Sequence, residues 1–292
     1  MQNEQIFQRC KLAIARNFSR AANTYDEVAI LQQEIGLRLL DRLELINIKP
    51  RSILDIGAGT GFTTKSLTHK YPEAQIFNLD IAEGALSFGK QKRSSNTQHY
   101  ICADAELCPI KSQSIDLIFS NCALHWFLNP EFIFKEMHRI LKPEGLLFFS
   151  TFGPDTLIEL RQSFALVDQK NHVNHFIDMH HIGDILLAIG LQDPVMDMEL
   201  LTLTYKNLGG LIRDLKFSGE NFVFAEEPQG LSSKTTLEKL HSAYENYRNK
   251  ENLLPATFEV VYGHAWGKEL STLHSSDSEG VIRIPVDHLQ RL

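Results

Sequence analysis

The sequence predicts an α/β protein built on a doubly wound, mainly parallel sheet of seven strands, with N-terminal helices and a helical insertion before the last strand. Two observations predict this fold. Short apolar runs without polar alternation, typical of strands covered on both faces, recur along the chain as SILDI, QIFNLD, HYICAD, IDLIFSN and GLLFFST. Helical patterns separate these runs, and strands that alternate with helices form right-handed crossover units.

The helices and strands are predicted in chain order from the spacing of apolar residues and from the glycines and prolines that separate them. An N-terminal helical region extends to Leu45, because Ile35, Leu39 and Leu43 fall on one helical face. Helices are predicted over 63–70, 83–91, 130–141 and 156–168. Beyond Phe176 the pattern predicts a helix in HHIGDILLAIGL, a long strand in PVMDMELLTLTY and a last strand in TFEVVYGHAW.

These elements divide the chain into four predicted segments. Residues 1–47 form a helical cap and residues 48–204 form the core. Residues 205–255 form a helical insertion or lid, and residues 256–292 supply the last strand and a C-terminal tail. Within the insertion, the turn-forming residues of EEPQGLSSKT predict a mobile loop.

Composition narrows the class of protein. The 292 residues carry 29 Lys+Arg against 36 Asp+Glu, a formal charge of −7, which argues against a nucleic-acid binder. Apolar runs are too short for a membrane span. At the N-terminus, Glu4 and Arg16 interrupt any signal-like apolar stretch, and a surface helix is favoured over a mitochondrial transit helix. Four scattered cysteines without a C-x-x-C pair fit reduced thiols in the cytoplasm.

A glycine loop, LDIGAGTGF, follows the first predicted strand and opens a helix. Glycines there allow backbone N–H groups to approach a ligand closely. Gly57, Gly59 and Gly61 are evenly spaced, unlike the glycines of the dinucleotide fingerprint, which argues against a nicotinamide oxidoreductase. Asp80 ends the second strand, where an acidic residue can hold the two hydroxyls of a ribose.

Polar residues also follow the other strands. Asp55 precedes the glycine loop, Asp104 follows the third strand, and Ser120 and Asn121 follow the fourth. Because open α/β sheets bind ligands at the carboxyl ends of their strands, this set predicts a ligand site. The alternative is a tight structural turn, with Asp80 capping the next helix.

The motifs LDIGAGTG, NLD, ADAE and SN, in this order, resemble the S-adenosylmethionine-binding motifs of class I methyltransferases, whose fold is Rossmann-like. The resemblance implies S-adenosylmethionine as cofactor and assigns roles by position. The glycines would line the methionine and ribose end, Asp80 would hold the ribose, Asp104 would face the adenine amino group, and Asn121 would lie beside the methyl. Asp55 would orient the loop. The cofactor-binding residues that the resemblance implies are Asp55, Gly57, Ala58, Gly59, Gly61, Asp80, Ile81, Asp104, Ala105 and Asn121.

Segments outside these motifs narrow the resemblance. FSRAANTYDEVAILQQEIGLRLL, SNCALHWF, TFGPDTLIELR, HVNHFIDMHHIGD and LPATFEVVYGHAWG resemble the biotin-pathway family that methylates the free carboxyl of malonyl on acyl carrier protein. Two alternatives stay open. One is a methyltransferase-like arginine hydroxylase that acts as an assembly factor, which would need iron and a transit peptide. The other is a scaffold that binds the cofactor without transferring methyl.

Three aromatic side chains are the candidates for the methyl-transfer chamber: Tyr25, His125 and Trp126. A malonyl carboxyl is already ionised at neutral pH, so the reaction needs alignment and exclusion of water rather than a general base. The alternative reading is that Tyr25 and Trp126 pack the N-terminal helices onto the sheet.

The implied protein partner is acyl carrier protein, and no nucleic-acid or membrane partner is expected. One segment departs from the family, because FSGENFVFAEEPQGLSS places Glu226 and Glu227 where relatives carry a basic run. Since a carrier protein is acidic, this loss predicts weaker electrostatic steering. A replacement basic patch would comprise Arg161, Lys206, Arg213, Lys216, Arg248 and Lys250.

A histidine-rich stretch, HVNHFIDMHHIGD, is the one candidate for a metal site. His172, His175, His180, His181 and Asp178 could ligate zinc or iron. The H-x-x-x-H and H-E-x-x-H spacings are missing there, so the prediction is that no metal binds.

Overall fold

One seven-stranded sheet runs through the part of the chain that the computed structural model describes, which is residues 2–93, 95–127, 129–168, 170–220 and 234–268. The strands are β1 Ser52–Ile56, β2 Gln75–Asp80, β3 Gln98–Cys102, β4 Ile115–Ser120, β5 Leu141–Phe152, β6 Gln192–Tyr205 and β7 Leu254–Trp266. Their order is β3-β2-β1-β4-β5-β7-β6. Strand β7 is antiparallel to both of its neighbours, β5 and β6, and the other adjacent strands pair in parallel. The predicted fold class is confirmed.

Helices cover both faces of the sheet and its carboxyl edge. They are α1 Gln2–Val28, α2 Ile30–Glu44, α3 Phe62–Lys70, α4 Glu83–Arg93, α5 Pro130–Ile140, α6 Ile158–Ala165, α7 Met179–Ala188, α8 Leu208–Phe217 and α9 Lys234–Tyr244. Two of them, α8 and α9, lie between β6 and β7. Among the described residues, none of these helices is both long and apolar enough to cross a membrane.

The central strands are buried on both faces, as their continuous apolar runs predict. Ile53 and Leu117 belong to one core cluster, whereas Leu54 and Ile118, one residue along, belong to the cluster on the opposite face. All four side chains are fully buried. The period-two alternation of a strand therefore anchors the sheet between two apolar layers.

Most helix bounds differ from the prediction by one to three residues, and two differences have a clear cause. The N-terminal helical region is two helices, because the chain breaks at Ala29 with φ −79° and ψ 45°. The helix predicted over 156–168 begins only at Ile158. Leu157 has left-handed backbone angles, φ 54° and ψ 36°, which a right-handed helix cannot contain, so the helix begins one residue later.

We expect Gly263→Ala to destabilise the fold. A Cβ at Gly263 would collide with Cζ of Phe149 and lie 2.8 Å from Sδ of Met196, within the sheet core. Overpacking of this kind costs about 1–3 kcal/mol, which urea denaturation measures.

Gly183→Ala is the matched control. Its Cβ would meet only Met196 Cγ at 3.9 Å, and alanine favours the interior of α7. Equal free energies of unfolding for the two variants would contradict this account of the core.

Candidate active site

The glycine loop turns sharply between β1 and α3. Gly57, Gly59 and Gly61 have φ of 72°, 55° and 77°, values that glycine adopts readily. The N–H groups of Gly57 and Ala58 both donate to the Leu79 carbonyl, at 2.8 and 3.2 Å. A Cβ at Gly57 would collide with Cβ of Ala123. The loop is therefore held against the ends of β2 and β4.

Asp80 fixes the loop from the end of β2. Its Oδ2 accepts the Gly59 N–H at 2.8 Å, and its Oδ1 accepts the Ala82 N–H at 2.8 Å. Burial raises the pKa of Asp80, although these backbone donors and that of Ile81 oppose the rise. One carboxylate thus ties the glycine loop to the segment that leads into α4.

Asp55 lies beneath the loop and is only 1% exposed. The Thr64 hydroxyl lies 2.7 Å from Asp55 Oδ2 and 2.8 Å from Asn78 Oδ1. Since a hydroxyl has one proton, both contacts are hydrogen bonds only if Asp55 carries a proton of its own. Burial raises the pKa of Asp55 to about 7, against the lowering effect of Thr64, which agrees with this geometry.

A cavity opens above the loop and reaches the end of β3. Asp104 and Ala105 line its far side, together with Ile81. Lys11 of α1 reaches the same end, where its Nζ lies 2.5 Å from Asp104 Oδ2 and also pairs with Glu106. A cation from the N-terminal helix therefore neutralises the acidic group expected to face adenine.

One face of α1 forms the roof of this cavity. Its lining residues lie three or four positions apart, as one helical face requires, and they are Lys11, Ile14, Phe18, Ala22 and Tyr25. Thr60 Oγ1 donates to Asp26 Oδ1 at 2.6 Å, and Gly84 N donates to Ser19 Oγ at 3.1 Å, which attaches the helix to the loop and to α4. Of these residues only Tyr25 is predicted from the sequence as a site residue, although the others share its helical spacing.

Asn121 is held in place at the end of β4. Its Nδ2 donates to the Gln32 carbonyl at 2.9 Å, and its Oδ1 accepts the Ser150 hydroxyl at 2.8 Å. The side chain lines the cavity from a fixed position. Gln32, which no sequence motif indicates, thereby connects α2 to the site.

A second cavity adjoins the first, and Trp126 lines both. The Trp126 ring meets Phe18 edge to face, with centroids 5.4 Å apart. His125 lines the second cavity and packs against Phe152 and Phe176. Burial lowers the pKa of His125 to about 3, so this imidazole is neutral at physiological pH. His125 therefore contributes an uncharged ring to the wall of the second cavity.

The structure brings most of the predicted residues together. The first cavity is lined by Tyr25, Gly57, Gly59, Asp80, Ile81, Asp104, Ala105, Asn121 and Trp126. Four predicted residues lie outside that lining: Asp55 is under the loop, Ala58 and Gly61 shape its turn, and His125 faces the second cavity. Their assignment to cofactor or substrate stays a prediction.

The histidine-rich stretch does not converge on one point. His172 pairs with Asp168 at 2.9 Å and stacks on Phe164, whereas His180 pairs with Asp178 at 2.9 Å. Within the described ranges, no three His, Cys, Asp or Glu side chains are grouped to hold a metal ion.

Two members of the proposed basic patch are used inside the fold. Arg161 donates to the carbonyls of Pro154 and Thr156, and Arg248 pairs with Glu245 at 2.6 Å. Glu226 and Glu227 lie outside the described residues, so their effect on docking stays a prediction.

The raised pKa of Asp55 predicts a pH-dependent stability. The folded protein keeps a proton on Asp55 up to about pH 7, whereas the unfolded chain releases it near 3.8. This group therefore lowers the free energy of unfolding as pH rises from about 4 to 7, by up to roughly 1.4 kcal/mol per unit.

Asp55→Asn removes that titration, so the variant should not show the fall in stability that wild type shows between pH 5 and 7. The free energy of unfolding of the variant minus that of wild type should therefore increase over this range and then level off. Urea denaturation at several pH values measures this difference, with Asp41→Asn on the exposed side of α2 as the baseline. A difference that stays constant with pH would contradict a protonated Asp55.

Comparisons with known proteins identify the fold and the family of this chain. Residues 54–149 match a family model described as a methyltransferase domain. Among solved structures, the YcgJ protein of Bacillus subtilis aligns with a TM-score of 0.56 and 16% identity, covering 79% of this chain and 98% of that one. A Haemonchus contortus phosphoethanolamine N-methyltransferase 2, in complex with S-adenosylhomocysteine, aligns with a TM-score of 0.51 and 15% identity over 80% of this chain and 52% of that one. These likenesses show the fold.

Relatives of known name are similar over most of the chain. The malonyl-[acyl-carrier protein] O-methyltransferase of Gallionella capsiferriformans is 48% identical over 263 residues, covering 88% of this chain and 90% of that protein. The enzyme of the same name from Halorhodospira halophila is 39% identical, covering 99% of this chain and 97% of that protein. These relatives and the matched methyltransferase domain show that the chain belongs to the malonyl-[acyl-carrier protein] O-methyltransferase family of S-adenosylmethionine-dependent enzymes.

Proposed function

We propose that this chain methylates the free carboxyl of malonyl carried on acyl carrier protein, in the cytoplasm, as a step of biotin synthesis. The observation that carries the proposal is the pair of cavities that meet at Trp126. One cavity has the features of a cofactor site, and the other can take an acyl group. The names of the relatives support this reaction and favour neither the hydroxylase nor the scaffold alternative.

The first cavity fits S-adenosylmethionine. It is a concave space between the glycine loop and one face of α1. Gly57 and Gly59 leave the floor without side chains, Asp80 offers carboxylate oxygens at the middle, and Asp104 offers them at the far end. The bound cofactor supplies a sulfonium methyl group as the electrophile.

The protein's own contribution is alignment and exclusion of water. A carboxylate acceptor is already ionised at neutral pH, so the reaction needs no base to deprotonate it. The neutral state of His125 is therefore compatible with methyl transfer. Tyr25 lines the cofactor cavity from the roof, and burial is the main cause that raises the pKa of its phenol well above the ordinary value. The hydroxyl therefore stays protonated and can donate a hydrogen bond in the chamber. Trp126 closes the apolar side, and such alignment is worth up to about 7–11 kcal/mol.

Helix α8 is the proposed docking element for the carrier protein. Ile212 and Leu215 on this helix line the second cavity, and the neighbouring Arg213 and Lys216 are exposed. Lys206, just before the helix, is exposed as well. These cations flank an acyl cavity, which is where an acidic carrier protein would be attracted.

The first test is formation of the methyl ester. Purified protein with S-adenosylmethionine should convert malonyl-acyl carrier protein to its methyl ester, detected by mass spectrometry of the carrier. Cofactor binding without ester formation on several carrier proteins would contradict the proposed reaction.

Asp80→Ala should weaken S-adenosylmethionine binding about tenfold to a hundredfold, because it removes a buried acceptor and releases Gly59 and Ala82. Isothermal titration calorimetry measures the dissociation constant. Asp41→Ala on the exposed face of α2 is the control, and equal affinities for the two variants would contradict the role of Asp80.

Tyr25→Phe should reduce kcat about tenfold while changing cofactor affinity less than about twofold, because only a donor in the chamber is lost. Steady-state kinetics and calorimetry on the same variant separate the two effects. A parallel loss of kcat and cofactor affinity would place Tyr25 on the cofactor instead.

A further inference from the structure

Glu220 lies where the two cavities meet. It follows the end of α8 and lines the second cavity. It is also close enough to Tyr25 and Cys122, which line the cofactor cavity, to raise the pKa of both groups. Its carboxyl is therefore beside the space where an acyl acceptor would approach the cofactor.

The Glu220 carboxyl is held in position. Its Oε1 accepts a hydrogen bond from Gln32 Nε2 at 2.6 Å. Gln32 is only 6% exposed, and its carbonyl accepts the Asn121 side-chain amide. One glutamine therefore fixes both Asn121 and the Oε1 side of the Glu220 carboxyl.

The groups that face Glu220 do not neutralise an ionised carboxylate. They are Tyr25 of α1, Gln32 of α2, Cys122 after β4, Tyr205 of β6, and His125 and His172 across the cavity. His125 is neutral and His172 is paired with Asp168. No lysine or arginine of the described ranges lines this second cavity. Burial accordingly raises the pKa of Glu220 to about 7, although Gln32 opposes the rise.

An acceptor carboxylate brought to this position would lie against a second carboxyl group. Two carboxylates in contact cannot both stay ionised, and they share one proton. We propose that Glu220, in its protonated form, donates a hydrogen bond from Oε2 to one oxygen of the acceptor carboxylate and so positions the other oxygen for methylation. This inference rests on the proposed function. The proton stays on Glu220 throughout, and the neutral ester then accepts the same hydrogen bond.

The proposal predicts proton uptake on acceptor binding. Above about pH 7 the free protein has an ionised Glu220, which must regain its proton before the carboxylate can bind. The kcat/KM for malonyl-acyl carrier protein should therefore fall above about pH 7. Glu220→Gln keeps an N–H donor but cannot ionise, so it should remain active at higher pH and lose this fall.

The direct experiment is calorimetric binding of malonyl-pantetheine to protein saturated with S-adenosylhomocysteine at pH 8, in buffers of different ionisation enthalpy. Wild type should take up about one proton per ligand, and Glu220→Gln should take up none. Glu251→Gln, an exposed glutamate between α9 and β7, is the control and should behave as wild type. The proton uptake of wild type tests the proposal even if the Glu220→Gln variant does not fold.

The outcomes separate this inference from the proposed function. Binding without proton uptake, or no binding of malonyl-pantetheine, overturns the role of Glu220. Methyl ester formation without proton uptake overturns Glu220 alone. Proton uptake without any methyl ester on malonyl-acyl carrier protein supports Glu220 as a carboxylate-binding group and contradicts the proposed reaction.

Discussion

The Asp80 carboxylate is the constraint on which the rest of the site depends. At the end of β2 it accepts the backbone N–H groups of Gly59 and Ala82, and so connects the glycine loop to the start of α4. Asp55 supports the loop from below through Thr64. Parallel strands alone bring these groups to one edge, because β1 pairs with both β2 and β4. The sheet topology thus brings the glycine loop and the two aspartates to one edge, and backbone hydrogen bonds fix the conformation of the loop.

The N-terminal helices turn this edge into an enclosed chamber. Helix α1 covers the cofactor cavity with one face, while α2 reaches the acceptor side through Gln32. Lys11 neutralises the acidic far end, so the roof contributes charge as well as apolar surface. The Lys11–Asp104 ion pair therefore lies at the far end of the cofactor cavity, whereas the aromatic ring of Trp126 lies where the two cavities meet and methyl transfer requires exclusion of water.

Sequence patterns predicted the fold and the loop because both are encoded locally. Strand runs, glycine spacing and the acidic residue after β2 are each readable within a few positions. Three features needed tertiary structure. The histidine-rich stretch is divided among separate ion pairs, His125 is buried against phenylalanines, and Glu220 meets Gln32 from 188 positions away. Polar groups that are distant in sequence and paired only on folding leave no periodic signal.

The central claim is that the cofactor lies across the carboxyl edge of the parallel strands, with Asp80 at its sugar. A crystal structure of the protein with S-adenosylhomocysteine tests this most directly. The account predicts both ribose hydroxyls within hydrogen-bond distance of Asp80, the methionine end above Gly57 and adenine at Asp104. A nucleoside bound away from Asp80, or one lodged in the second cavity, would contradict it.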